Sequence, residues 1–107
     1  MGAKFYLLET CVSHVGYIGN YVPPYPSKYL LTEIFLGFAA GLNAFMFWPY
    51  RAQPSGIEQA HGAVVTQAGT PDLGYDDVVK RSKILAKLKP ILQKTHVKKS
   101  KVAIIFR

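Results

Sequence analysis

The sequence predicts an all-α protein built on a single transmembrane helix, with an N-terminal interfacial arm and a basic, partly helical C-terminal extension. Three observations predict it. Residues 29–50, YLLTEIFLGFAAGLNAFMFWPY, are apolar on nearly every side and carry one formal charge, Glu33. As a continuous helix they would reach about 33 Å, the thickness of a bilayer's hydrocarbon core. The charge is also lopsided: residues 1–50 hold two lysines against two glutamates, whereas residues 51–107 hold eleven Lys/Arg against four Asp/Glu and carry the whole net charge of +7. A basic tail beside a membrane span matches the positive-inside rule and puts the tail on the matrix or cytoplasmic side.

The elements follow in order. Residues 1–28 form the arm and a proline-rich elbow. Phe5, Leu8, Val12 and Val15 recur at helical spacing, which reads as a short amphipathic helix or as an arm laid over a partner. Pro23, Pro24 and Pro26 then forbid a helix interior and impose an extended elbow, and Ser27 follows as a candidate N-cap. Residues 29–50 are the span. Tyr25 and Tyr29 serve as ring anchors at one interface and Trp48 and Tyr50 at the other, with Pro49 closing the helix and Arg51 as the first cation beyond it. Residues 51–75 are rich in glycine and proline and read as a linker. Residues 76–107 form the basic amphipathic extension: Asp76 or Asp77 caps it, Ile84, Leu85, Leu88, Ile91 and Leu92 share one face, and Pro90 kinks or shortens it.

Within the span, Gly37-Phe38-Ala39-Ala40-Gly41 is a GxxxG pattern. Glycine at i and i+4 lets another backbone approach, so Gly37, Ala40, Gly41 and Ala44 are the helix-packing candidates. Asn43 reads as an interhelical hydrogen-bonding group, and Glu33 as a carboxylate that snorkels or pairs with a neighbouring subunit. In the basic part, Arg51, Lys80, Arg81, Lys83 and Lys87 are the candidate contacts to anionic lipid or to an acidic partner. The single cysteine, Cys11, forms no internal disulfide and reads as a structural thiol. His14, His61 and His96 share no metal-binding spacing, and no P-loop or dinucleotide fingerprint is present. No catalytic residue, metal or cofactor is therefore expected, apart from bound anionic lipid such as cardiolipin.

The opening Met-Gly-Ala-Lys-Phe, the Val22-Pro23-Pro24 elbow followed by Leu30–Leu31, the glycine-containing span and the Pro49-Tyr50-Arg51 exit together resemble subunit k of mitochondrial ATP synthase. Residues 6–21 look like an insertion relative to that family, and the basic tail has no counterpart in it. The resemblance implies a non-catalytic, supernumerary subunit of the inner-membrane complex of oxidative phosphorylation. Such a subunit supports assembly or dimer contacts without conducting protons, and its partners are other membrane subunits and lipid. Two alternatives stand beside it: a single-span accessory subunit of respiratory complex I, III or IV, and a membrane-tethered basic module that binds lipid or RNA.

Overall fold

The fold is described from a computed structural model, for residues 4–17, 20–98 and 100–105. The Met-Gly-Ala opening and residues 18–19, 99 and 106–107 lie outside the described residues.

Three short strands precede the first helix, and one strand lies between the two helices. The order is β1 (Phe5–Leu7), β2 (Val15–Tyr17), β3 (Asn20–Val22), α1 (Tyr29–Ala39), β4 (Leu42–Phe45) and α2 (Tyr75–Leu92). Strands β1 and β4 lie side by side in parallel, with Phe5 opposite Leu42, Tyr6 opposite Ala44 and Leu7 opposite Phe45. The register slips between Phe5 and Tyr6, and there the Asn43 side chain accepts from the Phe5 amide at 3.0 Å. Parallel neighbours need a crossover connection, and α1 is part of it. Strands β2 and β3 form a separate antiparallel pair inside that connection. The N-terminal amphipathic helix is thus replaced by a strand and a hairpin.

The expected span is overturned. Helix α1 has 11 residues, about 16 Å of rise and half of what a bilayer requires. Among the described residues no helix is long and apolar enough to cross a membrane. The helix stops because Gly41 adopts φ +98°, a left-handed conformation glycine enters without a Cβ penalty, with its amide donating to the Phe38 carbonyl at 3.0 Å. The chain then continues as β4. A helix packed on a sheet and a buried parallel strand are both apolar runs, and joined by one glycine they imitate a single long helix. The all-α single-span reading therefore gives way to a βα arrangement.

Helix α1 seats on the sheet through its small side. A Cβ at Gly37 would stand 2.8 Å from Phe45 Cζ and 2.9 Å from Leu42 Cδ2. Phe38 meets Phe45 edge-on at 5.7 Å. Leu30 and Ile34, one turn apart on the same face, are buried. Lys28 rather than Ser27 stands at the N-cap, without a side-chain cap bond.

The remaining core comes from the segment read as a linker. His61, Gly62, Ala63, Val64 and Val65 are all buried, although they belong to no strand or helix. Gly62 lies so close to the turn after β1 that a Cβ would meet Ser13 Cβ at 2.5 Å and the His14 amide at 2.8 Å. Helix α2 starts from Gly74, which is pressed against the Val12 backbone, and carries Asp76 and Asp77 in its first turn, where the helix dipole favours them. It continues through Pro90 to Leu92. Arg81 ties it back to the elbow, donating to the Ser27 carbonyl at 2.6 Å and to Asp77 at 3.2 Å.

The seating of Gly62 is testable. Gly62→Ala should lower stability by about 1–3 kcal/mol, the usual cost of forcing atoms into a packed site. A shifted urea midpoint is the expected reading, and an unshifted one would mean that the 61–65 segment does not pack against Ser13.

Candidate functional site at the carboxyl ends of the parallel strands

Beyond their last residues the two parallel strands stay coupled. The Met46 amide donates to the Leu7 carbonyl at 2.9 Å, the Thr10 amide to the Met46 carbonyl at 3.1 Å, and the Trp48 amide to the Thr10 carbonyl at 3.2 Å. Residues 8–11 and 46–48 are thereby held side by side at the end of the sheet where βα folds place their chemistry.

Glu9 is exposed there and lines a pocket of about 260 Å³ together with Thr10, Cys11, Val15, Tyr25, Tyr29 and Glu33. Thr10 is buried, and its hydroxyl donates to Glu33 Oε2 at 2.7 Å across from α1. Tyr25 and Tyr29 stack with ring centroids 4.1 Å apart. Glu33 is the main reason that the Tyr29 phenol is held above its usual range, with smaller contributions from desolvation and Tyr25.

A second cluster backs this one. Cys11 Sγ lies 3.5 Å from the Trp48 carbonyl and 3.5 Å from His61 Nε2, and the His61 ring meets the Trp48 indole edge-on at 5.3 Å. Ser13, almost fully buried, donates to the Ala63 carbonyl at 2.7 Å and accepts from the Gly74 amide at 2.9 Å. Asp72 accepts from the Ala63 amide at 2.8 Å. The loop after β1, the 61–65 segment and the start of α2 therefore meet at one hydroxyl. Chemically, the site offers an exposed carboxylate on a strand end, a second carboxylate fixed by a hydroxyl, aromatic rings and a buried imidazole. Among the described residues no group of three or more His, Cys, Asp or Glu is arranged to hold a metal ion.

The residues singled out from sequence fall in several places. Tyr25 and Tyr29 line the pocket, and Trp48 packs against His61. Tyr50 is exposed, with its carbonyl accepting from the Val65 amide at 2.9 Å. Gly37 faces β4, Ala40 is the C-cap of α1, Gly41 makes the turn and Ala44 pairs with Tyr6. Arg51 bridges to Val65, with its guanidinium beside Gly69. Lys80, Lys83 and Lys87 are exposed on α2, while Arg81 is bound into the elbow. Sequence reasoning missed Glu9, Thr10 and His61 as site residues. The signal was present: the apolar run Phe5–Leu8 ends in a carboxylate, as a parallel strand does when it delivers a residue to its carboxyl end.

Comparison with known proteins identifies the family. The glycosyl hydrolase family 42 model, described as beta-galactosidase, matches residues 1–88. The beta-galactosidase YesZ of Bacillus licheniformis is 30% identical over 105 residues, and that of Bacillus subtilis is likewise 30% identical. Each alignment covers 98% of this chain and 16% of the relative, so the chain spans a small part of the curated relatives' length. The crystal structure of the beta-galactosidase from the psychrophilic Marinomonas ef1 superposes with a TM-score of 0.65 at 16% identity, over 85% of this chain and 15% of that one. The chain belongs to glycosyl hydrolase family 42.

This membership overturns the resemblance to ATP synthase subunit k and the roles drawn from it. The shared pieces were a proline elbow ahead of a helix and an aromatic-basic exit, local solutions that any chain entering and leaving an apolar element can adopt. The non-catalytic subunit role, with its place in oxidative phosphorylation and proton transport, and the mitochondrial inner-membrane partners have no support in a family described as beta-galactosidase. The alternatives, an accessory subunit of complex I, III or IV and a membrane-tethered lipid- or RNA-binding module, fall with them. The inner-membrane location with a matrix-side tail loses its premise along with the span.

The site's electrostatics give a direct test. Burial pushes the Cys11 thiol above its ordinary value of 9.0, and the charges of Glu9 and Glu33 push it further. The reactive thiolate is therefore scarce at neutral pH and grows only as pH rises past the usual thiol range. Iodoacetamide should alkylate Cys11 more slowly than it alkylates a free thiol at pH 8, and Glu33→Gln, by removing one of the two charges, should speed the reaction. A rate equal to that of free cysteine would contradict this environment.

Proposed function

We propose that this chain supplies part of the active site of a β-galactosidase, with Glu9 as the carboxylate that attacks the anomeric carbon of a terminal β-linked galactose. The observation that carries the reading is the position of Glu9. It stands exposed at the carboxyl end of β1, on a pocket, in a chain of this family.

Glycoside hydrolysis ordinarily needs two carboxyl groups flanking the bond. Glu9 attacks C1, the bond from C1 to the leaving oxygen breaks, and that oxygen takes a proton from a second carboxylic acid. The glycosyl ester so formed is then cleaved by water, which the second group deprotonates, and galactose leaves with its β configuration retained. The exposed, polar setting of Glu9 suits the nucleophile, whereas the acid member of such pairs belongs in an apolar pocket. Glu33 is not cast as that acid, because it sits on a helix and already accepts from Thr10. The second carboxylate is assigned to the part of the relatives' length that this chain does not cover. Trp48, coupled by its amide to Thr10 and edge-on to His61, supplies an apolar wall for the C–H face of the sugar.

The test is made in the full polypeptide that carries residues 1–107. An activated 2-deoxy-2-fluoro-β-galactoside should trap a covalent adduct, and peptide mapping should put it on Glu9. Glu9→Gln should lower kcat/KM for nitrophenyl β-galactoside on the order of 10⁴-fold or more. A label on another residue, or activity kept in the variant, would sink the assignment.

A further inference from the structure

We infer that Glu33 is a positioning residue for this reaction, acting through the Thr10 hydroxyl to hold the backbone that carries Glu9. The inference rests on the reading of Glu9 given above.

Glu33 is the sole charged residue in a helix of sequence YLLTEIFLGFA, and it is half-buried. A carboxylate in such surroundings is costly unless it is hydrogen-bonded. Its partner is the hydroxyl of Thr10, at the 2.7 Å typical of charge-assisted bonds. Thr10 is itself committed on every side: its amide donates to Met46, its carbonyl accepts from Trp48, and its hydroxyl is given to Glu33. The backbone bonds fix Thr10 to the continuation of β4, and the side-chain bond fixes it to α1. The residue next to Glu9 is therefore clamped from two elements, although Glu9 itself lies in an exposed segment. Attack at an anomeric carbon needs the nucleophile placed within a fraction of an ångström, and rigid supporting hydrogen bonds supply that placement. A threonine that merely filled space here would need no carboxylate opposite it.

Five variants of the full polypeptide test the clamp: Thr10→Val, Thr10→Ser, Glu33→Met, Glu33→Gln and the double variant Thr10→Val/Glu33→Met. Steady-state kinetics on nitrophenyl β-galactoside give kcat and KM, and thermal melting reports folding. Thr10→Val and Glu33→Met should each lower kcat about 10- to 100-fold with KM changed by less than about threefold. The double variant should be no slower than the worse single one, since both remove the same bond. Thr10→Ser keeps the hydroxyl and Glu33→Gln keeps an acceptor, so both should restore most of kcat. These two conservative variants remain readable even if the apolar ones melt early. Additive losses, an effect confined to KM, or a Glu33→Gln variant as slow as Glu33→Met would overturn the clamp, the last by showing that the charge itself is used. The fluorosugar label separates the two readings. A label away from Glu9 removes the premise and this inference with it, whereas a label on Glu9 with additive losses removes the clamp alone.

Discussion

The hydrogen-bond ladder between the first and fourth strands, carried past their ends by Leu7, Thr10, Met46 and Trp48, is the constraint from which the rest of the architecture follows. Parallel pairing forces the intervening chain to cross over, and that puts α1 against the sheet with Leu30 and Ile34 inward. It also sets the two segments that leave the sheet beside each other. The segments that carry Glu9 and Trp48 are thus held side by side by backbone geometry, although 38 residues separate the two in the chain.

The site's back wall depends on a different device. A single buried hydroxyl, that of Ser13, satisfies the Ala63 carbonyl and the Gly74 amide, polar groups whose burial without partners would cost about 1–3 kcal/mol each. Two glycines make the close approach possible, Gly62 against Ser13 and Gly74 against Val12. The 61–65 segment can therefore be buried without being a strand. His61, carried on it, reaches Trp48 and Cys11. A buried, hydrogen-bonded wall thus stands behind the pocket that the exposed Glu9 lines.

Much of the punctuation was legible in the sequence and its meaning was not. A helix follows the prolines at Tyr29 and another starts at Tyr75, with Gly74 rather than Asp76 or Asp77 at its cap and both aspartates inside its first turn. The error lay in the interval between. Hydropathy adds Tyr29–Ala39 to Leu42–Phe45 without registering that Gly41 turns the chain, because a helix against a sheet and a parallel strand can be equally apolar. Segment 61–65 was unreadable for the opposite reason, since its small residues give no period and only the fit of Gly62 to Ser13 explains its burial. Glu9 and Thr10, which follow β1, escape recognition as long as the N-terminal segment reads as an amphipathic helix or an arm laid over a partner. Gly37, read as a docking point for another membrane helix, instead meets Leu42 and Phe45 of β4 in the same chain.

Among the described residues, β1 and β4 each pair on one side alone. Their outer margins carry amides and carbonyls that can template another strand, and among the described residues only the register slip between Phe5 and Tyr6 interrupts the pair. An isolated pair of short parallel strands has little cohesion of its own. In a closed cylinder of strands these margins would be stitched to neighbours on both sides. Left bare, they would favour amyloid-like stacking of one copy on the next.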